Sequence, residues 1–281
     1  MDRYYLDLTG LRVLLDTAVP LELSSRVQPF LCEPFPDAPD CTICVDICPE
    51  LPKPEGLWRG PECYFREGGQ MRTFHCNTPQ GEPFAVTQMD GKGNVYIRVK
   101  PAFAGNFSGI SGIFNRIGME NLLLRHDGLL LHASLIDYNR HGIAFAGPSG
   151  VGKSTQARLW QRCLGAALLN GDRAALRKTG EGWLAYGSLY AGTSGVYKKE
   201  SAPLEAIVVL RQAGENRLTP LSAVEAFKYI WPELSVQRWD ADQVSPAMAL
   251  CGALVAQVPV YLLECLPEES AVVMLKKGLN L

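Results

Sequence analysis

The 281-residue sequence lacks any run of basic residues interleaved with aromatics, and its charge is nearly balanced, 27 Lys and Arg against 29 Asp and Glu. The electrostatic footprint of a nucleic-acid binder is therefore missing. It has no low-complexity tract and no internal repeat, and a composition of 47% hydrophobic and 20% charged residues excludes disordered and collagen-like chains. An apolar secretory core is absent too: the first sixteen residues carry Asp2, Asp7 and Asp16, so the cytoplasm is the expected compartment. One stretch, 244–263, is uncharged over a bilayer's length. Pro246, Gln257 and Pro259 interrupt it, and Ala and Gly stand where a span would use Leu and Ile. It predicts a buried helix over 246–257 followed by a strand over 259–265, not a membrane segment.

What the chain has in excess is cysteine near its start. Six of nine cysteines fall within the first 76 residues, and Cys41, Cys44 and Cys48 form C-x2-C-x3-C. Three thiolates with Cys32 or Cys63 as a fourth would suit zinc or an iron-sulfur cluster. The spacing is not a standard one and no second C-x2-C pair accompanies it, so small buried thiols are the competing reading. Residues 1–107 are rich in Pro and Gly, with alternating stretches at 11–15 and 95–99 that predict strands, hence a small, mainly β N-terminal lobe. The Pro-, Asp- and Cys-dense segment 33–59 is expected to be irregular.

From 108 to 281 the texture changes to that of an α/β domain. Ile113, Ile117, Leu122 and Leu124 predict a helix ending near His126. Two apolar strands over 129–136 and 143–146 follow, and the polar turn formers of 137–142 join them as an antiparallel hairpin. Directly after the second strand stands Gly147-Pro148-Ser149-Gly150-Val151-Gly152-Lys153-Ser154-Thr155, a complete G-x4-G-K-S phosphate loop. Its glycines permit backbone angles closed to other residues, so that successive N–H groups can turn inward around a phosphate, with a helix over 156–163 adding the positive end of its dipole. Lys153 brings a point charge to the terminal phosphates, and the Ser154 hydroxyl can join a Mg²⁺ shell. ATP with Mg²⁺ is the expected ligand, bound by Gly147, Ser149, Gly150, Val151, Gly152, Lys153, Ser154 and Thr155. A carboxylate is also needed for the metal. Asp172, just past the strand predicted over 166–169, is the best candidate, a surface turn being its alternative.

His132-Ala133-Ser134, the hairpin, the phosphate loop and Leu168-Leu169-Asn170-Gly171-Asp172 follow one another in an order that resembles HPr kinase/phosphorylase and ATP-dependent phosphoenolpyruvate carboxykinase. The resemblance spans about 128–176, continues weakly through 203–207, and leaves the N-terminal lobe without a match. It implies an α/β (α+β) fold with a PEP carboxykinase-like mixed-sheet core in which the loop is approached from an antiparallel hairpin. It also implies roles: His132 on its strand near the terminal phosphate and metal, Lys153 and Ser154 on phosphate and metal, and Asp172 as the second acid of a paired Asp-Asp. Gly171 stands where the first acid would be, which leaves the general base unassigned. His132 is a candidate, with a satisfied core histidine as the alternative.

The glycine-rich, basic segment 192–199 is read as closing over nucleotide or gripping an acidic substrate, with a solvated turn as the alternative. Arg173 and Arg177 are read as cationic clamps or as surface charge. The expected activity is transfer of the γ-phosphate to a hydroxyl, with catalysis by Lys153, Asp172 and His132 and metal held by Ser154 and Asp172. By resemblance the acceptor is a serine of a peptide or small protein. Self-association into a homo-oligomer is compatible with the sequence, and neither nucleic acid nor membrane is an expected partner. A nucleotide-binding regulatory or assembly module without phosphotransfer is the alternative, and carboxykinase chemistry a weaker one, because the chain is short.

Overall fold

A computed structural model describes residues 1–25, 27–68 and 70–281, Thr193 without its side chain. The chain is mixed α/β and forms two compact units, Met1–Leu122 and Leu123–Leu281. The first unit holds an eight-stranded mixed sheet in the order β1-β2-β3-β8-β7-β6-β5-β4. Its strands are β1 (Asp2–Leu8), β2 (Leu11–Thr17), β3 (Cys41–Ile47), β4 (Leu57–Arg59), β5 (Glu62–Glu67), β6 (Gln70–Cys76), β7 (Pro83–Met89) and β8 (Val95–Val99). Two helices follow, α1 (Ile110–Ile117) and α2 (Met119–Leu124), where one continuous helix was expected. They break at Gly118, whose φ is 71°. The unit ends fifteen residues beyond the expected boundary at 107, because α1 buries Ile110, Ile113, Phe114 and Ile117 and sets Arg116 over the rings of Phe107 and Phe84.

The segment 33–59 is not irregular throughout. Cys41–Ile47 is an interior strand, parallel to both β2 and β8, with Cys41, Ile43 and Val45 buried on one side. The prolines that disguise it, Pro34, Pro36, Pro39 and Pro49, all lie outside the strand itself. A strand's period of two sends Cys41 and Cys44 to opposite faces, and Cys48 comes after the strand ends. The three thiols therefore do not converge, and among the described residues no three His, Cys, Asp or Glu side chains form a group able to hold a metal ion.

The second unit is a sheet covered by helices on both faces. Its strands are β9 (Gly128–Leu131), β10 (Ala133–Tyr138), β11 (His141–Ala146), β12 (Ala167–Asn170), β13 (Ala174–Thr179), β14 (Gly182–Tyr186), β15 (Ser201–Gln212), β16 (Arg217–Pro220) and β17 (Val260–Cys265). The helices are α3 (Lys153–Leu164), α4 (Ala223–Ile230), α5 (Ala241–Gln257) and α6 (Glu269–Gly278). Strands β11, β15 and β17 are parallel, while β10 is antiparallel to β11 and β12. Alternation along these strands sorts the core. Leu135, Ala144 and Ile207 pack towards Ile230, Cys251 and Leu254, whereas Ile136, Phe145 and Val208 pack towards Trp160, Val272 and Leu275. Burial on both faces is why the central strands read as unbroken apolar runs.

The hairpin is present, closing on Asn139 and Arg140, both at positive φ (53° and 68°). The stretch 129–136 is not one strand. It divides at His132, with β9 pairing β13 and β10 pairing β11 and β12. Helix α5 begins five residues before Pro246, since Asp240 accepts the N–H of Asp242 as its cap. No helix among the described residues is long and apolar enough to cross a membrane. Burial pushes the thiols of Cys41 and Cys251 up to about 12. In native protein treated with iodoacetamide near pH 8, both are expected to stay unmodified by peptide mass mapping while the half-buried Cys48 and Cys163 should react. Labelling of Cys41 at the rate of Cys48 would contradict the interior placement of β3.

Candidate functional site

Strands β11, β15 and β17 end at one edge of the sheet, and an open α/β sheet exposes the carboxyl ends of its parallel strands there. The chain leaves β11 at Ala146 and enters a loop in which Gly147, Gly150 and Gly152 have φ of 136°, 80° and 113°. These are angles a side chain would strain. The loop passes straight into α3, whose first residue is Lys153. Its amino group is buried and donates to the carbonyls of Gly147 (2.6 Å) and Pro148 (3.1 Å). Burial lowers the affinity of Lys153 for its proton, and the negative charges of Glu233 and Asp172 oppose that shift.

Across from the loop lies the turn after β12. Asn170 is fully buried: its Oδ1 accepts from the N–H groups of Asp172 (2.9 Å) and Arg173 (2.8 Å), and its Nδ2 donates to the carbonyls of Ser188 and Tyr190. Ser188 Oγ donates to the Arg173 carbonyl and Ser134 Oγ to that of Gly171. Asp172 is thereby held with its carboxylate 3.8 Å from His132 Nε2. His132 sits in the break between β9 and β10, opposite the start of the loop, because Ala133 pairs with Ala146. Its backbone N–H donates to the Glu233 carbonyl, and its Nδ1 lies 3.2 Å from Glu233 Oε2. Lys153, Asp172, His132 and Glu233 thus gather at one mouth. Glu233 is a residue that sequence reading missed. It belongs to a short turn, Trp231–Glu233, after α4, and reaches the site because Leu234 bridges to Leu131, a pairing no local pattern announces.

Gly171 has a physical reason. A Cβ there would meet Ser194 Oγ at 1.9 Å and Ser194 Cβ at 2.4 Å, so the segment 192–199 fills the room an acid at 171 would need. That segment is also seated on the turn through an Asn170–Tyr197 bridge, and a Cβ at Gly192 would meet Asp172 Cβ at 2.7 Å. Lys198 pairs with Glu200 at 3.6 Å. Of the two arginines, Arg173 stays near the site, 3.7 Å from Asp172 and over the Tyr190 ring. Arg177 does not: it lies level with Gly128, four residues further along the chain, and donates to the His126 carbonyl.

A cleft of about 500 Å³ opens beside the loop, lined by Gly147 to Val151 on one side and by Lys228, Tyr229, Pro232 and Glu233 on the other. A glycine loop running into a helix N-terminus, an ammonium and two carboxylates can accept a polyanion and orient a polar partner beside it. Asp172 and the Ser154 hydroxyl are the groups suited to Mg²⁺, which takes one or two carboxylates and keeps much of its water.

No family model matches the chain, and no curated protein does. Among solved structures, the HPr(Ser) kinase/phosphatase from Coxiella burnetii is similar to it, with a TM-score of 0.32 and 13% identity, covering 54% of this chain and 88% of that one. So slight a likeness leaves the chemistry to the geometry above.

The packing at 171 is testable by a double-mutant cycle. Gly171→Ala is expected to cost about 1–3 kcal/mol in urea unfolding, as overpacking does. In a Ser194→Gly background the same change should cost nearly nothing, because the two sites share one space. Equal costs in both backgrounds would refute the contact.

Proposed function

We propose that this chain is an ATP-dependent phosphotransferase that moves the γ-phosphate to a hydroxyl, with a serine of a peptide or small protein as the acceptor class by its resemblance to HPr kinase-like proteins. The observation that carries the reading is the convergence of Lys153, Asp172, His132 and Glu233 beside a glycine loop that opens directly into a helix.

In this reading the loop amides and the N-terminus of α3 bind the polyphosphate, and Lys153 exchanges its two loop carbonyls for terminal phosphate oxygens. Asp172 and Ser154 would hold Mg²⁺, whose charge would neutralise that of the phosphates. Asn170 fixes Asp172 before any ligand arrives, so its placement needs no reorganisation. His132, oriented through Nδ1 by Glu233, presents Nε2 towards the Asp172 side of the site, where the hydroxyl proton of an acceptor would be received. The core this implies is the PEP carboxykinase-like one, with the loop entered from an antiparallel hairpin.

The experiment is incubation with γ-labelled ATP, Mg²⁺ and candidate peptides. Label should appear on an acceptor and fall by about 100-fold or more in Lys153→Ala and in Asp172→Ala, the scale of losing one charge stabiliser. The glycine at 171 favours a second reading, a nucleotide-binding module without transfer. Tight ATP binding with no labelled acceptor and no released phosphate would select it.

A further inference from the structure

The glycine loop stands between two clefts rather than at the bottom of one. The first, already described, lies on the Gly147 side and faces Lys228, Tyr229 and Glu233. The second, about 460 Å³, lies on the helix side and is lined by Thr155, Gln156, Ala213, Cys265, Leu266 and Pro267. Gly150, Val151 and Gln212 line both, and Gln212 Nε2 donates to the Gly150 carbonyl at 3.3 Å. The crest of the loop and that amide form the partition.

We propose that the two clefts divide the two substrates: the nucleoside of the nucleotide occupies the cleft at Ala213 and Cys265, and the phosphate acceptor occupies the cleft at Lys228 and Glu233. The assignment rests on the phosphotransfer reading and adds direction to it. A polyphosphate on this loop has a polarity set by the chain. Its terminal phosphate belongs where the Lys153 amino group lies, against the carbonyls of Gly147 and Pro148 and near Asp172, on the first-cleft side. The first amides of α3, around Ser154 and Thr155, hold the other end. The nucleoside therefore leaves the loop past Thr155, into the second cleft.

The linings agree with that direction. The second cleft has no charged residue among its described lining and combines apolar groups with a few polar ones, as a base site does. Gln156 adds a specific signal. It is almost fully buried, its Nε2 donates to Cys265 Sγ at 3.2 Å, and its Oε1 has no hydrogen-bond partner among the described residues. A buried acceptor of that kind is ordinarily satisfied; Oε1 is sealed from the cleft here, so the exocyclic amino group of a purine would complete it only once the Gln156 amide turns outward. The first cleft instead carries Arg211, Lys228 and Glu233, groups suited to a polar acceptor.

Calorimetric titration of the whole chain with Mg·ATP and with Mg·tripolyphosphate tests this. The unaltered protein should bind ATP at least about tenfold more tightly than tripolyphosphate, the difference being the nucleoside's share. Ala213→Trp should erase that preference while tripolyphosphate affinity stays within about twofold, and so should Pro267→Trp, whose site is exposed and leaves the core intact. Lys228→Trp, at an exposed position of the first cleft, should leave both affinities unchanged. Loss of the ATP preference in Lys228→Trp but in neither tryptophan of the second cleft would overturn the assignment. Binding of neither polyphosphate by the unaltered chain would overturn the phosphotransfer reading, and the assignment with it. Thermal melts of each variant separate these outcomes from misfolding.

Discussion

One buried amide holds the acid of this site in place. Asn170 has no exposure to solvent, and an unsatisfied amide at such depth would cost about 1–3 kcal/mol. The bonds of its side-chain amide go to the turn that carries Asp172 and to the strand-end segment behind it, Ser188 to Tyr190. Satisfying Asn170 and fixing the direction of Asp172 are the same event. Ser134 and Ser188 complete the arrangement by donating to the carbonyls of Gly171 and Arg173 on either side. The acid can stay partly exposed and still be ordered, because its order comes from the backbone beneath it.

Lys153 shows the complementary strategy. Burial disfavours its charge, yet the ammonium is retained by two loop carbonyls and by the field of Glu233 and Asp172. Burial outweighs the two carboxylates, whose charges oppose it from the mouth of the site. Without a polyanion the ammonium is turned onto its own loop. In the proposed function a phosphate would replace these neutral carbonyls with charged oxygens, which make stronger bonds to an ammonium.

The parts of this arrangement legible in the sequence are those where each residue answers a local demand. The glycine loop is one, since each of its three glycines stands at a positive φ. The hairpin and Asp172 at the end of its strand are others, each read from turn formers beside an apolar run. What stayed hidden is non-local. The break at His132 leaves no mark in Leu-Leu-Leu-His-Ala-Ser-Leu-Ile, because both β9 and β10 are buried and the apolar run continues across it. Cys41–Ile47 alternates well, but cysteine in a proline-rich setting reads as ligand or loop before it reads as strand. Glu233 reaches the site only through tertiary pairing, about a hundred positions from His132.

The glycine at 171 joins these threads. Ser194 occupies the space an acid there would need, and Gly192 is confined against Asp172 in the same way. The segment 192–199 is packed closely on the turn that carries Asp172, through Ser194, Gly192 and the Asn170–Tyr197 bridge. Its first residues form a wall of the turn rather than a solvated excursion. With 171 closed to acids, the second carboxylate acting on Lys153 comes from Glu233, on the far side of His132. The two carboxylates that act on Lys153 come from segments about sixty residues apart, so a pattern that requires adjacent acids would pass over them.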